Sequence, residues 1–163
     1  MTPLRPAHLG DAIHASPLRF FVRDDLLVPS DTQWPRGQPP SDMLLFEKAG
    51  PRRQLFFDPQ RTRAAIVTCG GLCPGLNNVI RSVTRELRRG YGVTSVLGVR
   101  GGYRGLDPSR GKPPVELSDE LVEDIHQEGG TLLGTSRGPV DMKIAVDFLV
   151  AQGVNVLFTV GGD

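Results

Sequence analysis

Residues Ile66-Val67-Thr68-Cys69-Gly70-Gly71-Leu72-Cys73-Pro74-Gly75-Leu76-Asn77-Asn78-Val79-Ile80-Arg81 narrow what this chain can fold into more than any other stretch. A short apolar run ends in a glycine-rich turn, and the turn leads directly into an amphipathic segment. That order describes a buried strand, a loop whose backbone can approach a ligand closely, and a helix whose N-terminus faces that ligand. An anion site, and a phosphate site in particular, follows from the pattern. The rest of the chain decides whether the loop stands alone or belongs to a larger sheet edge.

From Arg63 onward the pattern is regular. Ala64 to Cys69 is a continuous apolar run of strand length, as suits a strand covered on both faces of a parallel sheet. Leu76, Val79, Ile80, Val83 and Leu87 follow at helical spacing, with Arg81, Arg85, Arg88 and Arg89 elsewhere and Gly90 as a stop. Val93 to Val99 is the next strand, so the unit is strand, helix, strand, with a right-handed crossover. After the loop from Arg100 to Leu106, Pro113-Pro114 marks a turn. Ser118-Asp119-Glu120 resembles a helix cap leading into Leu121, Val122 and Ile125, with a stop at Gly129-Gly130. Met142, Ala145, Val146, Leu149 and Val150 form another helical stripe closed by Gly153, and Val154 to Val160 is a final buried strand. The expected class is therefore α/β, a doubly wound, mostly parallel, Rossmann-like sheet.

Gly-Gly pairs occur at 70-71, 101-102, 129-130 and 161-162, three of them at or near the end of an expected strand. Strand C-termini of such a sheet share one edge, where ligands bind, so the pairs are expected to converge. Glycine removes the Cβ that would hold a backbone away from a phosphate. The first turn is not a P-loop, because Gly75 is followed by Leu76-Asn77 rather than Lys and Ser or Thr. Nor is it a dinucleotide fingerprint, since Gly-x-Gly-x-x-Gly is missing and no acidic residue ends the Val93 to Val99 strand. That opposes an oxidoreductase half. What remains is a turn whose N–H groups and helix N-terminus face an anion, with Asn77 able to cap the helix.

Residues 1–62 differ in character and are expected to form an extended N-terminal arm. Nine of the 14 prolines lie there, which disfavours regular helix. Five of the seven phenylalanines, Phe20, Phe21, Phe46, Phe56 and Phe57, lie there too, which opposes simple disorder. Short strands are expected near Leu18 to Val22 and Gln54 to Phe57, the arm packing on the main domain or a neighbouring subunit. Residues 63–163 are the α/β domain.

Composition limits the function classes. A chain of 163 residues with 39% hydrophobic content can bury a core, and a formal net charge of +1 gives no global attraction to nucleic acid or an anionic membrane. No apolar run approaches the roughly 18 residues a membrane span needs, and the N-terminus lacks a signal-peptide core, so a cytoplasmic protein is expected. Cys69 and Cys73, the only cysteines, cannot build a disulfide framework or a four-cysteine metal set. Cys69 belongs to the strand and Cys73 to the loop surface. His8, His14 and His126 lie outside every glycine loop.

Four segments, Gly70-Gly71-Leu72-Cys73-Pro74-Gly75-Leu76-Asn77, Gly101-Gly102-Tyr103-Arg104-Gly105-Leu106, Gly129-Gly130-Thr131-Leu132-Leu133-Gly134-Thr135-Ser136-Arg137 and Gly161-Gly162-Asp163, resemble the ordered motifs of the 6-phosphofructokinase family. The Leu-Cys form of the first loop and the aromatic N-terminal extension resemble its longer plant-type and bacterial members. The resemblance implies phosphoryl transfer from ATP, or from pyrophosphate in some members, to the 1-hydroxyl of fructose 6-phosphate, with Mg2+. It places Gly71 against the donor phosphates, and Arg137 and Gly138 on the nucleotide and its phosphates. Gly162 and Asp163 match the loop whose aspartate holds the metal, and Tyr103 matches a tyrosine near the donor phosphates. Arg81 and Arg85 match positions at which some bacterial relatives bind effector phosphates, although helix-surface arginines are usually only solvated.

The resemblance also implies a homo-oligomer, dimer or tetramer, and places the family's catalytic Thr-x-Asp-x-Asp stretch beyond Asp163. No catalytic residue is assigned, and the chain is expected to be the N-terminal portion of the enzyme, inactive by itself. A non-catalytic nucleotide- or phosphate-binding module is the alternative.

Overall fold

A computed structural model describes residues 11–34, 36, 37 and 44–161. The chain divides into two compact units, with the break between Phe57 and Asp58. The sequence pattern placed the break near residue 62. It falls earlier because Pro59–Arg61 form a 3-10 turn, capped by the Asp58 side chain, that delivers a buried Thr62 to the first strand of the sheet.

The N-terminal unit holds two short antiparallel pairs, β1 (His14–Ala15) with β4 (Gln54–Leu55) and β2 (Leu27–Pro29) with β3 (Leu45–Glu47). The strand expected near Leu18 to Val22 does not form. Val22 donates its N–H to the Pro51 carbonyl at 2.9 Å, and Pro51 has no N–H to return. Phe21 instead lies under the Arg53 guanidinium, 5.1 Å from its ring centre. The strand expected over Gln54 to Phe57 is cut to two residues, and Phe56 and Phe57 meet edge to face with ring centres 4.9 Å apart.

The second unit is built on β5 (Arg63–Thr68), β6 (Ser95–Val99), β7 (Val115–Glu116) and β8 (Val156–Val160), in the order β7-β6-β5-β8. β5 is parallel to both β6 and β8, and β7, which the sequence pattern did not suggest, runs antiparallel to β6. Alternate residues of β5 point to opposite faces. Ala64 and Ile66 join Ile80 and Val96 beneath helix α1 (Leu76–Arg85), while Ala65 and Val67 join Leu97 and Val99 beneath helix α2 (Met142–Ala151). The sheet is doubly wound, as the sequence pattern implied.

Three expected elements differ. α1 is followed by a wider π turn over Glu86–Gly90, closed by Tyr91 N–H donating to the Glu86 carbonyl at 3.0 Å. The helix expected after Ser118 is instead a run of turns with one 3-10 turn at Ile125–Gln127. Arginine and asparagine side chains from α1 take backbone carbonyls of that segment, and Leu117, Val122 and Ile125 are buried against α1. β8, expected to be buried, lies at the sheet edge and alternates between half-buried and exposed residues.

Candidate anion site at the carboxyl edge of the sheet

β5, β6 and β8 are parallel, so their C-terminal ends share one edge, and the glycine loops leave from it. The segment from Thr131 to Arg137 runs along this edge and joins the loops. Gly70 N–H donates to the Ser136 carbonyl at 3.2 Å, and the Thr135 hydroxyl donates to the Gly70 carbonyl at 2.7 Å. Gly101 N–H donates to the Leu133 carbonyl at 2.7 Å, and the Thr68 hydroxyl donates to the Gly134 carbonyl at 2.7 Å. Behind the segment, buried Asn77 accepts from Leu132 N–H at 2.7 Å and donates to the Glu128 carbonyl at 3.1 Å. Asn77 therefore holds the edge segment rather than capping α1. The N-cap position belongs to Gly75, whose φ of +93° is a left-handed conformation that glycine adopts freely.

Glycine is required where these strands close on one another. A Cβ on Gly102 would lie 2.4 Å from the Ser136 nitrogen. On Gly161 it would meet backbone atoms of Cys69, with Cys69 itself donating its N–H to the Val160 carbonyl at 2.9 Å. The pairs at 70-71 and 101-102 and Gly161 thus converge on one edge. Gly129 and Gly130 differ: a Cβ there would meet nothing within 4 Å, so they serve as turn residues.

Of the expected site residues, Gly71, Arg137, Gly138 and Tyr103 lie on this edge. Gly71 is exposed, and a Cβ on it would stand 3.4 Å from Arg137 Nη2, so glycine leaves open the space in front of that guanidinium. Arg137 is exposed and has no ion pair or hydrogen bond among the described residues. The N–H groups of Gly71, Leu72 and Cys73 also find no acceptor among the described residues, and the α1 N-terminus follows them. A cation, several free amides and a helix N-terminus together make an anion cradle. Gly138 continues the segment with φ +99°.

Tyr103 is half-buried within the 3-10 turn Gly102–Leu106 and packs against the core on the α2 side. Hydrogen bonding with Cys69, reinforced by burial, raises its phenol above the usual tyrosine value. Packed against the core, its ring braces the turn. Gly162 and Asp163 lie outside the described residues, as does His8. His14 in β1 and His126 in the Ile125–Gln127 turn belong to other parts of the molecule. Cys73 is exposed on the loop, as expected.

Arg81 and Arg85 have protein partners. Arg81 Nε donates to the Glu123 carbonyl at 2.9 Å, and Arg85 pairs with the Glu123 carboxylate, pulling that carboxyl below its ordinary range. Arg89 Nε donates to Asp119 Oδ1 at 3.1 Å. Sequence reasoning missed Asn77, Thr68 and Thr135 as organisers of the edge. For Asn77 a signal existed, because it shares the i, i+3, i+7 stripe with Ile80 and Thr84, and all three are buried. Thr68 and Thr135 carry no such signal, since hydroxyl groups at strand ends and in loops are common. Among the described residues no group of three or more His, Cys, Asp or Glu side chains could hold a metal ion.

Fold and site together define a doubly wound α/β protein whose glycine loops meet at the carboxyl edge of a parallel sheet. The phosphofructokinase family profile matches residues 63–163, and the chain belongs to that family. It is 48% identical over 145 residues to the ATP-dependent 6-phosphofructokinase of Amycolatopsis methanolica, covering 89% of this chain and 30% of the relative. It is 43% identical over 149 residues to ATP-dependent 6-phosphofructokinase 7 of Arabidopsis thaliana, covering 89% of this chain and 29% of that relative. The chain thus spans less than a third of the length of these relatives. Phosphofructokinase from Pichia pastoris in the T-state shares the fold, with a TM-score of 0.55 at 24% identity over 74% of this chain and 14% of its own. The structure of phosphofructokinase from Saccharomyces cerevisiae aligns with a TM-score of 0.51 at 30% identity, over 60% of this chain and 13% of its own.

Proposed function

We propose that this chain supplies the donor-phosphate wall of an ATP-dependent 6-phosphofructokinase, which transfers a phosphoryl group from ATP to the 1-hydroxyl of fructose 6-phosphate in glycolysis. The observation that carries the reading is the cradle between Gly71 and Arg137, with an open space in front of an unpaired guanidinium. ATP is favoured over pyrophosphate because the similar curated relatives are named as ATP-dependent enzymes. In this reading the free amides of the 71–73 turn and the α1 N-terminus orient the donor phosphates. Arg137 neutralises charge that develops on the transferring group. Gly138 lets the segment turn close to the nucleotide, and Tyr103 holds the Gly102–Leu106 turn in place beside it.

Mg2+ fits this chemistry. It is usually held by one or two carboxylates together with substrate phosphates, so a site with few protein ligands is compatible with it. Asp163, in the Gly162-Asp163 motif, is the carboxylate assigned to the ion, which would screen the phosphate charges. No helix among the described residues is long and apolar enough to cross a membrane, and a cytoplasmic location belongs to the same proposal.

The test is calorimetric titration of Mg-ATP into the wild-type chain and into Arg137→Gln. A charge-assisted hydrogen bond contributes about 1.5–3 kcal/mol, so the substitution is expected to weaken binding by roughly tenfold or more. Gly71→Val, which places a branched side chain in the cradle, is expected to act in the same direction. Unchanged affinity in both variants would remove Gly71 and Arg137 from the donor site.

A further inference from the structure

A second basic feature lies beside the cradle. The loop from Arg100 to Lys112 folds against Thr131 to Thr135 and leaves an open cleft of about 480 Å³, within the usual size range of small-molecule sites. Arg100, Arg104, Arg110 and Lys112 all line it, and among the described residues no carboxylate does. Arg100 is anchored, its Nε donating to the Pro113 carbonyl at 2.8 Å. Arg104, Arg110 and Lys112 are exposed, and their side chains have no ion pair or hydrogen bond among the described residues. Asp107, whose charge Arg110 feels, is buried and committed to Ser109, accepting its N–H at 2.9 Å and its hydroxyl at 2.7 Å.

Four cations gathered in one cleft, with only the buried Asp107 carboxylate near Arg110 to offset them, repel one another, and an anion that enters relieves the repulsion. Elsewhere in this unit three arginines are matched by carboxylates: Arg85 has Glu123, Arg88 has Glu116 and Arg89 has Asp119. Of the five Lys and Arg side chains of this unit that have no partner among the described residues, Arg104, Arg110 and Lys112 line the cleft, and the others are Arg61 and Arg137. The lining is polar, with the hydroxyl-bearing residues Thr131 and Thr135 and no aromatic side chain on which a nucleobase could stack. Arginine forks suit the oxygens of a phosphate.

We propose that this cleft is a second anion site, which takes a compact, multiply charged phosphate compound through Arg104, Arg110 and Lys112. The site goes beyond the donor reading, since neither Gly71 nor Arg137 lines it.

Inorganic pyrophosphate, titrated without magnesium into the isotope-labelled 163-residue chain, is the first probe, followed by backbone amide NMR. The expected result is a saturable shift of the Gly101, Lys112, Gly134 and Thr135 amides that weakens as salt rises. The triple variant Arg104→Gln, Arg110→Gln, Lys112→Gln is expected to lose at least tenfold in affinity, while Arg137→Gln retains the same shifts. Lys112→Glu alone, expected to weaken binding severalfold, serves if the triple variant does not fold. A parallel titration with fructose 1,6-bisphosphate identifies the source, tighter binding than pyrophosphate marking a sugar phosphate and weaker binding an inorganic one. The proposal is overturned if the wild-type amides do not move, if the charge variants bind as tightly as wild type, or if Arg137→Gln abolishes the shifts. The last result would assign the anion to the Gly71–Arg137 cradle and leave the donor reading intact.

Discussion

The two faces of the sheet are unequally covered. On the α1 face, Leu76, Asn77, Ile80 and Thr84 are all buried, and the long connection through Leu117, Val122, Ile125 and Leu133 returns to pack on the helix. On the α2 face only Ala145 of the helix is buried, while Val150 and Met142 are 70% and 66% exposed. α2 is the more apolar helix, with eight apolar residues of ten against four of ten in α1, so hydrophobicity does not explain the difference. The difference is the return of residues 117–133 over α1, which also brings the edge segment to the glycine loops. The anion cradle is therefore expected to draw its rigidity from the α1 side.

The largest test of this contrast is Ile80→Ala against Val150→Ala. Ile80 is fully buried, and its truncation is expected to cost about 2–5 kcal/mol in denaturant unfolding. Val150→Ala is expected to stay within about 0.5 kcal/mol. Similar losses at the two positions would break the comparison. Asn77→Ala comes next. It leaves the Leu132 N–H and the Glu128 carbonyl without their partner, which costs about 1–3 kcal/mol. Faster hydrogen exchange at Leu132 would show that the edge segment has come loose, and unchanged exchange would show that Asn77 does not hold it.

The smallest effect is a pH dependence. The bond from Arg85, then its charge, depresses the Glu123 carboxyl, so the folded chain binds this proton less readily than the unfolded one. The contribution is present above the ordinary glutamate pKa of about 4.3 and fades as pH falls through the lower folded value. Arg85→Gln is expected to lower the neutral plateau slightly and so flatten the acid limb of the stability profile. A profile that keeps its wild-type slope would locate the acid sensitivity elsewhere.

Much of this was legible in the residue pattern. The β5 run, the glycine turn and α1 follow from local periodicity, and the convergence of loops at one edge follows from parallel strands sharing a carboxyl end. The faces of the helices were read less well. The apolar stripe assigned to α1 included Val79, which is 39% exposed, and passed over Asn77, which is buried. On α2 the stripe named Ala145 and Leu149, which pack inward, but also Met142, Val146 and Val150, which are exposed, and it passed over Phe148, which packs inward. When apolar residues occupy more than one side of a helix, spacing does not say which side meets the sheet. The N-cap of α2 was also passed over, although Asp141 accepts the Lys143 N–H at 2.8 Å in the usual manner of a capping carboxylate.

Sequence alone determined the strand–turn–helix unit and the class of sheet, because each depends on contacts within a few residues or on strands sharing a direction. Tertiary structure decided three further matters. It gave Asn77 to the Thr131–Arg137 segment instead of to its own helix, and replaced a helix after Ser118 with turns. It also left Arg137, Arg104, Arg110 and Lys112 without partners among the described residues while Arg81, Arg85 and Arg89 were matched. The physical reason is common to all of them. A polar or charged side chain takes whichever partner the folded chain brings within about 3 Å, and that distance is set by elements tens of residues apart in the sequence.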